Sequence, residues 1–248
     1  MQPEKILAID IGGSHIKAVI LNDAGDFVGD YERLPTPSPS NPANVMEVIQ
    51  QLAQKFTGYD AVAAGFPGYV KDGVIKTAPN LDKQAWRDYD LQHALAEKLG
   101  KPAMVVNDAD MQGIAIASGK GLELVVTLGT GFGTAFLKDG VLMPHLEIAH
   151  HPVTKSKDYD AYIGEAEMKR IGPERWNRRI KKVIEILKTV FNYDRLYISG
   201  GCAKQINFTP ESNIIITGNK DGIKGGAKLW RVENELMAYR HELLMKPE

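Results

Sequence analysis

The sequence predicts an α/β protein built as two similar lobes with a central cleft. Three observations predict it. Short apolar strands alternate with helices along most of the 248 residues. Two glycine turns, Asp10-Ile11-Gly12-Gly13 and Thr127-Leu128-Gly129-Thr130, each lie between apolar strands and are followed by a polar turn. With Asp10 set against Thr127, Ala18 meets Ala135 and Asn22 meets Asp139 without a gap, which reads as a duplicated lobe.

Lys5–Asp10 reads as a buried strand running into Gly12-Gly13-Ser14, and Lys17–Leu21 as the strand that returns, with Asn22–Gly25 as the next turn. Pro35–Pro42 (PTPSPSNP) holds neither a helix nor an inner strand and is an exposed connection. Val45, Val48, Ile49, Leu52 and Phe56 recur at helical spacing. Ala61–Phe66 is a strand ending in Pro67-Gly68, and Asp90 caps a helix through Leu99 that Gly100 stops. Ala103–Val106 delivers Asn107-Asp108 to a helix from about Ala109 to Ser118. Leu124–Leu128 and Thr134–Leu137 flank the second glycine turn, Gly129–Gly133. Tyr162–Lys169 is a helix. Pro173 opens a longer one, with Trp176, Ile180, Val183, Ile184, Leu187 and Phe191 on its apolar face. Leu196–Ser199 is a strand ending in Gly200-Gly201, Asn213–Thr217 is the last strand, and a helix from about Gly226 closes the chain. The lobes expected are 1–108 and 109–227, with a helix over about 228–245 packing back on the first.

Composition narrows the function classes. The 30 basic and 31 acidic residues balance to a formal charge of -1, which gives no sequence-wide electrostatic case for nucleic acid or a membrane surface. Cys202 is the single cysteine, so an internal disulfide and a cysteine-rich zinc site are both excluded. The first residues lack the apolar core of a signal peptide, and no run is long enough to span a bilayer. A cytoplasmic location is expected.

In Asp10–Lys17 (DIGGSHIK), glycines let backbone approach a phosphate, and N–H groups with the Ser14 hydroxyl can donate to its oxygens. Asp10 is placed to hold Mg2+ directly or through water, and Lys17 to offset phosphate charge. A plain hairpin turn, with Lys17 on the surface, is the competing reading. Gly129-Thr130-Gly131-Phe132-Gly133 is followed by a strand rather than a helix, which favours a second phosphate turn over a dinucleotide fingerprint. Asp108 can accept the proton of a sugar hydroxyl that attacks phosphorus while Asn107 fixes that hydroxyl; the pair can equally cap the following helix. Glu147 and His150, in HLEIAHHP, can hydrogen-bond adjacent hydroxyls of one sugar ring. A metal site of His145, Glu147, His150 and His151, or a polar surface loop, stands beside that reading. Glu165 can reach the same pocket or be a solvated helix residue. Gly200-Gly201 and Gly225-Gly226-Ala227 would let a flat nucleobase lie against backbone.

Taken in order, these motifs resemble the ROK family of sugar kinases, within the actin/hexokinase superfamily, over nearly the whole chain. Asp10–Lys17 is similar to the family's first phosphate turn, Gly65-Phe66-Pro67-Gly68 to its sugar-side loop, Leu128–Gly133 to its second phosphate turn, and Ser199-Gly200-Gly201 to its adenosine strand end. Ala78-Pro79-Asn80-Leu81 followed by Trp86, and Tyr162-Ile163-Gly164-Glu165 followed by Trp176-Asn177-Arg178-Arg179, resemble the polyphosphate/ATP glucokinases within the family. The resemblance implies ribonuclease H-like (actin-like ATPase) lobes. It also implies a homodimer, ATP and/or polyphosphate as phosphoryl donor with Mg2+, and glucose or a similar hexose as acceptor. Asn107, Asp108, Glu147, His150 and Glu165 would grip glucose, and Asp108 would take the proton of its 6-hydroxyl. Two departures stand out: the family's cysteine-rich zinc segment is missing, so no zinc is expected, and Ala149 stands where the family has glycine. The chain begins at its first strand without the helix-turn-helix of the family's repressors. A non-catalytic sugar sensor, a kinase for another hexose and an actin-type ATPase are the rival expectations.

Overall fold

The computed structural model describes residues 3–218 and 222–231. It divides into two compact units, one reaching to Ala115 and resuming at Ile223, the other Ile116–Gly222.

The first unit is built on β1 (Lys5–Ile11), β2 (His15–Asn22), β3 (Phe27–Pro35), β4 (Ala61–Phe66) and β8 (Ala103–Asn107), in the order β3-β2-β1-β4-β8. The β1–β2 and β2–β3 pairs are antiparallel, whereas β1–β4 and β4–β8 are parallel. The inner strands β1 and β4 are nearly continuous apolar runs because both faces of the sheet are covered. Successive side chains of β1 alternate between the faces: Leu7, Ile9 and Ile11 join one buried cluster, Ile6 and Ala8 another. The first cluster holds residues of α1 (Pro42–Ala53) and α3 (Leu91–Leu99); the second holds Met111 of α4 (Asp108–Ile116) and Ala227. A small antiparallel sheet of β5 (Val70–Lys71), β6 (Val74–Ile75) and β7 (Tyr89–Asp90), with the single-turn α2 (Lys83–Trp86), leads into α3.

The last described helix, 225–231, lies on the second face. A Cβ on Gly225 would run into the Met111 carbonyl, and one on Gly226 would come within 2.9 Å of the Ala63 Cβ. These glycines therefore allow close packing of the helix on the sheet. Trp230 Nε1 donates to the Val62 carbonyl at 3.1 Å and Lys228 Nζ to that of Ala115 at 3.0 Å. The expected boundaries at 108/109 and 227/228 fall at 115/116 and 222/223, because Met111 and Ala227 are buried with the strands of the first unit. Residues 232–245 of the expected closing helix lie outside the described residues.

The second unit repeats the plan. Its strands β9 (Leu122–Leu128), β10 (Phe132–Lys138), β11 (Val141–Leu142), β12 (Arg195–Ser199) and β13 (Ile214–Ile216) stand in the order β11-β10-β9-β12-β13, with the same sequence of antiparallel and parallel pairings. The apolar face of α7 (Pro173–Phe191) packs Trp176, Ile180, Val183, Ile184 and Leu187 against Leu124, Val126, Leu196 and Ile198. The helix expected over Tyr162–Lys169 is two, α5 (Tyr159–Ile163) and α6 (Glu165–Ile171), interrupted where Gly164 takes an extended conformation.

The gapless echo between the two hairpins also needs correction. Ile11 pairs with Ile16 in the first, but Leu128 pairs with Phe132 in the second, whose turn is therefore one residue shorter. Ala18 thus corresponds to Thr134 rather than Ala135, and Asn22 to Lys138 rather than Asp139. A one-residue slip exchanges the faces of a strand. The cores follow the paired register, since Ile16 and Phe132 each lie in the main cluster of their own unit. β3 is an edge strand whose nine residues are mostly exposed and carry no apolar alternation, so periodicity does not reveal it.

Candidate active site

In the first unit the turn after β1 places Gly13 and Ser14 exposed at its tip. The Gly12 N–H donates to the His15 carbonyl at 3.0 Å, and Thr36 Oγ1 donates to the Gly12 carbonyl at 2.6 Å. Asp10 and Lys17 are cross-strand partners, and Lys17 Nζ donates to Asp10 Oδ2 at 2.9 Å. Burial works to lower the Lys17 pKa, but the charge and hydrogen bond of Asp10, with help from Tyr31, raise it overall. Lys17 is thus held charged beside the turn.

Asn107 ends β8, and Asp108 begins α4. The Asn107 side chain is buried and makes three hydrogen bonds to backbone: Oδ1 accepts from the N–H groups of Ala109 at 2.8 Å and Asp110 at 3.3 Å, and Nδ2 donates to the Gly68 carbonyl at 2.9 Å. Capping is therefore the work of Asn107, which also ties the helix start to the Gly65–Gly68 loop. Asp108 is left exposed at the end of the parallel strands, with Oδ1 accepting from the Ala109 N–H at 2.8 Å.

In the second unit the turn Gly129–Phe132 is held by three neighbours. The Glu165 N–H donates to the Gly129 carbonyl at 2.9 Å, the Cys202 N–H to the Leu128 carbonyl at 2.9 Å, and the Phe132 N–H to Asp160 Oδ1 at 2.6 Å. Thr130 is exposed at the tip. Gly200, at φ +92°, sits so close to the Leu128 backbone that no side chain fits, while a Cβ on Gly201 would meet nothing within 4 Å.

Glu147 is half-buried, with His145 Nε2 3.5 Å from its Oε1. Hydrogen bonding from His145 lowers the Glu147 pKa against the opposing effect of burial, and the charges of His145 and His150 add to the lowering. His150 is exposed, its Nδ1 4.0 Å from Asp158 Oδ2. Ala149 is buried in the single 3-10 turn Ile148–His150 at an ordinary negative φ, so its methyl group imposes no backbone strain. Among the described residues no three His, Cys, Asp or Glu side chains are gathered to hold a metal ion, which removes the four-residue metal reading of HLEIAHHP.

Glu165 is paired along its own helix. Its carboxylate meets Lys169 Nζ at 2.6 Å and is 40% exposed, the solvated pairing of an i, i+4 helix salt bridge. Asp160, a residue sequence reasoning passed over, accepts the Phe132 N–H of the second glycine turn and lies near enough to Glu147 and His150 to feel their charges. Burial raises the Asp160 pKa; the Phe132 N–H and the charge of His150 oppose that, and the charges of Asp158 and Glu147 reinforce it. The YDAY context carries no signal for this, because the partners that define Asp160 are distant in sequence.

A family model described as the ROK family matches residues 6–149. The chain is 32% identical to a polyphosphate glucokinase of Mycobacterium tuberculosis (strain CDC 1551 / Oshkosh) over 202 residues, covering 78% of this chain and 76% of that protein. Among solved structures, an inorganic polyphosphate/ATP-glucomannokinase from Arthrobacter sp. strain KM superposes with a TM-score of 0.81 at 29% identity, over 94% of this chain and 100% of the other. A ROK family glucokinase from Streptomyces griseus, in complex with glucose and AMPPNP, gives 0.77 at 19% identity over 92% and 99%, a likeness of fold. A shared family model, a shared sequence over three quarters of two chains and a shared pair of sheets lead to one conclusion: this chain belongs to the ROK family.

Proposed function

We propose that the chain is a hexose kinase that transfers a phosphoryl group from ATP, polyphosphate or both to the 6-hydroxyl of glucose. The observation that carries this is the division of labour at Asn107-Asp108. Asn107 caps the helix, and Asp108, exposed at the ends of the parallel strands, presents a carboxylate of the chemistry needed to accept a hydroxyl proton. In this reading Asp108 takes the proton of the attacking hydroxyl. Asn107, through its bond to the Gly68 carbonyl, fixes the loop beside it. Glu147, His150 and Glu165 hydrogen-bond ring hydroxyls of the sugar, the Glu147 carboxyl being held ionised by His145 and the charge of His150.

The backbone N–H groups around Gly12, Gly13 and Ser14, and around Gly129, Thr130 and Gly131, receive phosphate oxygens, with Lys17 supplying positive charge. Gly200 and Gly201 offer backbone to the adenosine of ATP, Gly201 being the open one of the pair. Asp10 fits a Mg2+ ion held through water: its carboxylate is about one-third exposed (32%), and one oxygen is already engaged by Lys17. Such an ion would supply charge to offset that of the phosphates. A cytoplasmic homodimer completes the proposal on family likeness, and no described helix is long and apolar enough to cross a membrane.

The test is a coupled assay for glucose 6-phosphate with purified protein, glucose and Mg2+, run with ATP and with polyphosphate. Product with either donor supports the kinase and names the donor. No product with both, alongside glucose binding by calorimetry, would replace the proposal with a sugar sensor.

A further inference from the structure

We propose that Asp160 is a positioning residue for the second glycine turn, holding the Phe132 N–H so that Gly129–Phe132 keeps the shape in which it receives donor phosphate. The inference rests on the kinase reading for its functional half and on the geometry of the second unit for the rest.

A glycine turn has no side chains of its own to fix it. This one is gripped from the first turn of α5 by two consecutive residues. The Tyr159 ring stacks on Phe132, with centroids 4.9 Å apart and planes 18° from parallel, and the Asp160 carboxylate accepts the Phe132 N–H at 2.6 Å. The same carboxylate roofs Gly131, where a Cβ would come within 2.8 Å of Oδ1. The helix turn that carries both is itself fixed, since Asp158 Oδ1 accepts the Ala161 N–H at 2.8 Å. A carboxylate beside a phosphate-binding turn repels phosphate, so charge is no reason to keep Asp160 there. Its acceptor oxygen is. An asparagine at this position keeps the acceptor without the charge, and an alanine keeps neither.

Hydrogen exchange at the Phe132 amide and steady-state kinetics on the wild type, Asp160→Ala and Asp160→Asn test this. Asp160→Ala is expected to speed exchange at Phe132 and to raise the KM for the phosphoryl donor about tenfold, with the glucose KM within about threefold of wild type. Asp160→Asn is expected to restore both to within about threefold. The inference is overturned if the alanine variant leaves exchange or donor KM unchanged, if its effect is confined to the glucose KM, or if asparagine is no better than alanine. Should the alanine variant fail to fold, the asparagine variant decides alone, a near-normal donor KM supporting the inference and a large loss overturning it. If the wild type phosphorylates no sugar with either donor, the kinase reading falls; exchange at Phe132 still decides whether Asp160 holds the turn.

Discussion

Asn and Asp side by side at a strand end present one ambiguity in any sequence, because a cap and a base use the same residue types. The fold resolves it by assigning one task to each. The Asn107 amide is buried and bound to three backbone partners; the Asp108 carboxylate is exposed at the strand ends. Asp108→Asn should therefore lower turnover by about 10²- to 10⁴-fold, the range of a lost general base, with the glucose Kd from calorimetry changed little. A variant keeping near-normal turnover would remove Asp108 from the chemistry. Asn107→Ala should instead behave as a structural lesion, since it removes a cap and strands the Gly68 carbonyl, and is expected to lower stability in urea by about 1–3 kcal/mol. At this scale the sequence exposes residues embedded in local patterns, such as a strand end or a glycine turn. It hides Asp160, whose defining partner, the Phe132 N–H, is 28 residues away, and the helix break at Gly164 just before Glu165.

Two buried carboxylates bind elements together without entering the chemistry. Glu167, on α6, is 8% exposed and meets Lys157, Arg170 and Arg179, the last of which also donates to the Tyr162 carbonyl at 2.8 Å. Hydrogen bonds from Arg170 and Lys157 lower its pKa far below the ordinary glutamate value, against the opposing effect of burial. A depressed carboxyl contributes stability above its unfolded pKa and loses it as pH falls toward the folded value. Glu167→Gln should thus destabilise the protein by about 2 kcal/mol at neutral pH, less than a fully buried pair because Arg170 is mostly exposed. The gap in unfolding midpoint between wild type and variant should hold from about pH 7 to about 5 and begin to narrow as the pH falls below about 4. Glu123, fully buried on β9, accepts from Ser118 N at 2.8 Å, Ser118 Oγ at 2.7 Å, Gly119 N at 2.7 Å, Lys120 N at 3.2 Å and the Tyr197 hydroxyl at 2.9 Å. Glu123→Ala leaves these donors unsatisfied and should expose the amides of residues 118–120 to faster exchange. Neither network is legible from sequence. Helices and inner strands follow from short-range periodicity, whereas Glu123 and Glu167 are defined by which loops and helices return to them.

At the scale of the molecule, the two sheets share one strand order, and the sequence already carries that duplication in its two glycine turns. It misleads by one residue, because a gapless match cannot report a shortened turn. Only the paired register shows that Lys17 stands opposite Asp10 where Gly133 stands opposite Thr127. The two turns are therefore unequal, and only the first carries a cross-strand charge pair. The units also differ in how the chain completes them. The second is one uninterrupted stretch, while the first needs the residues from Ile223 onward to cover Ile6, Ala8, Val19, Leu21, Ala63 and Met111. Ending the chain at Gly222 should weaken the first unit by several kcal/mol, on the order of the apolar area uncovered, and the second by much less. Such a chain retains one buried tryptophan per unit, Trp86 and Trp176, so fluorescence of the Trp86→Phe and Trp176→Phe forms in urea reads the two separately.

That return has a meaning in time as well as in space. Synthesis runs from the amino end, so the unit begun first is the last whose packing residues leave the ribosome, and the unit begun second has all of its own beforehand. Until the segment that starts at Ile223 emerges, one face of the opening sheet is covered only in part, by Met111 of α4. The nascent chain is then most exposed to mispairing and chaperone capture at its oldest part, not its newest.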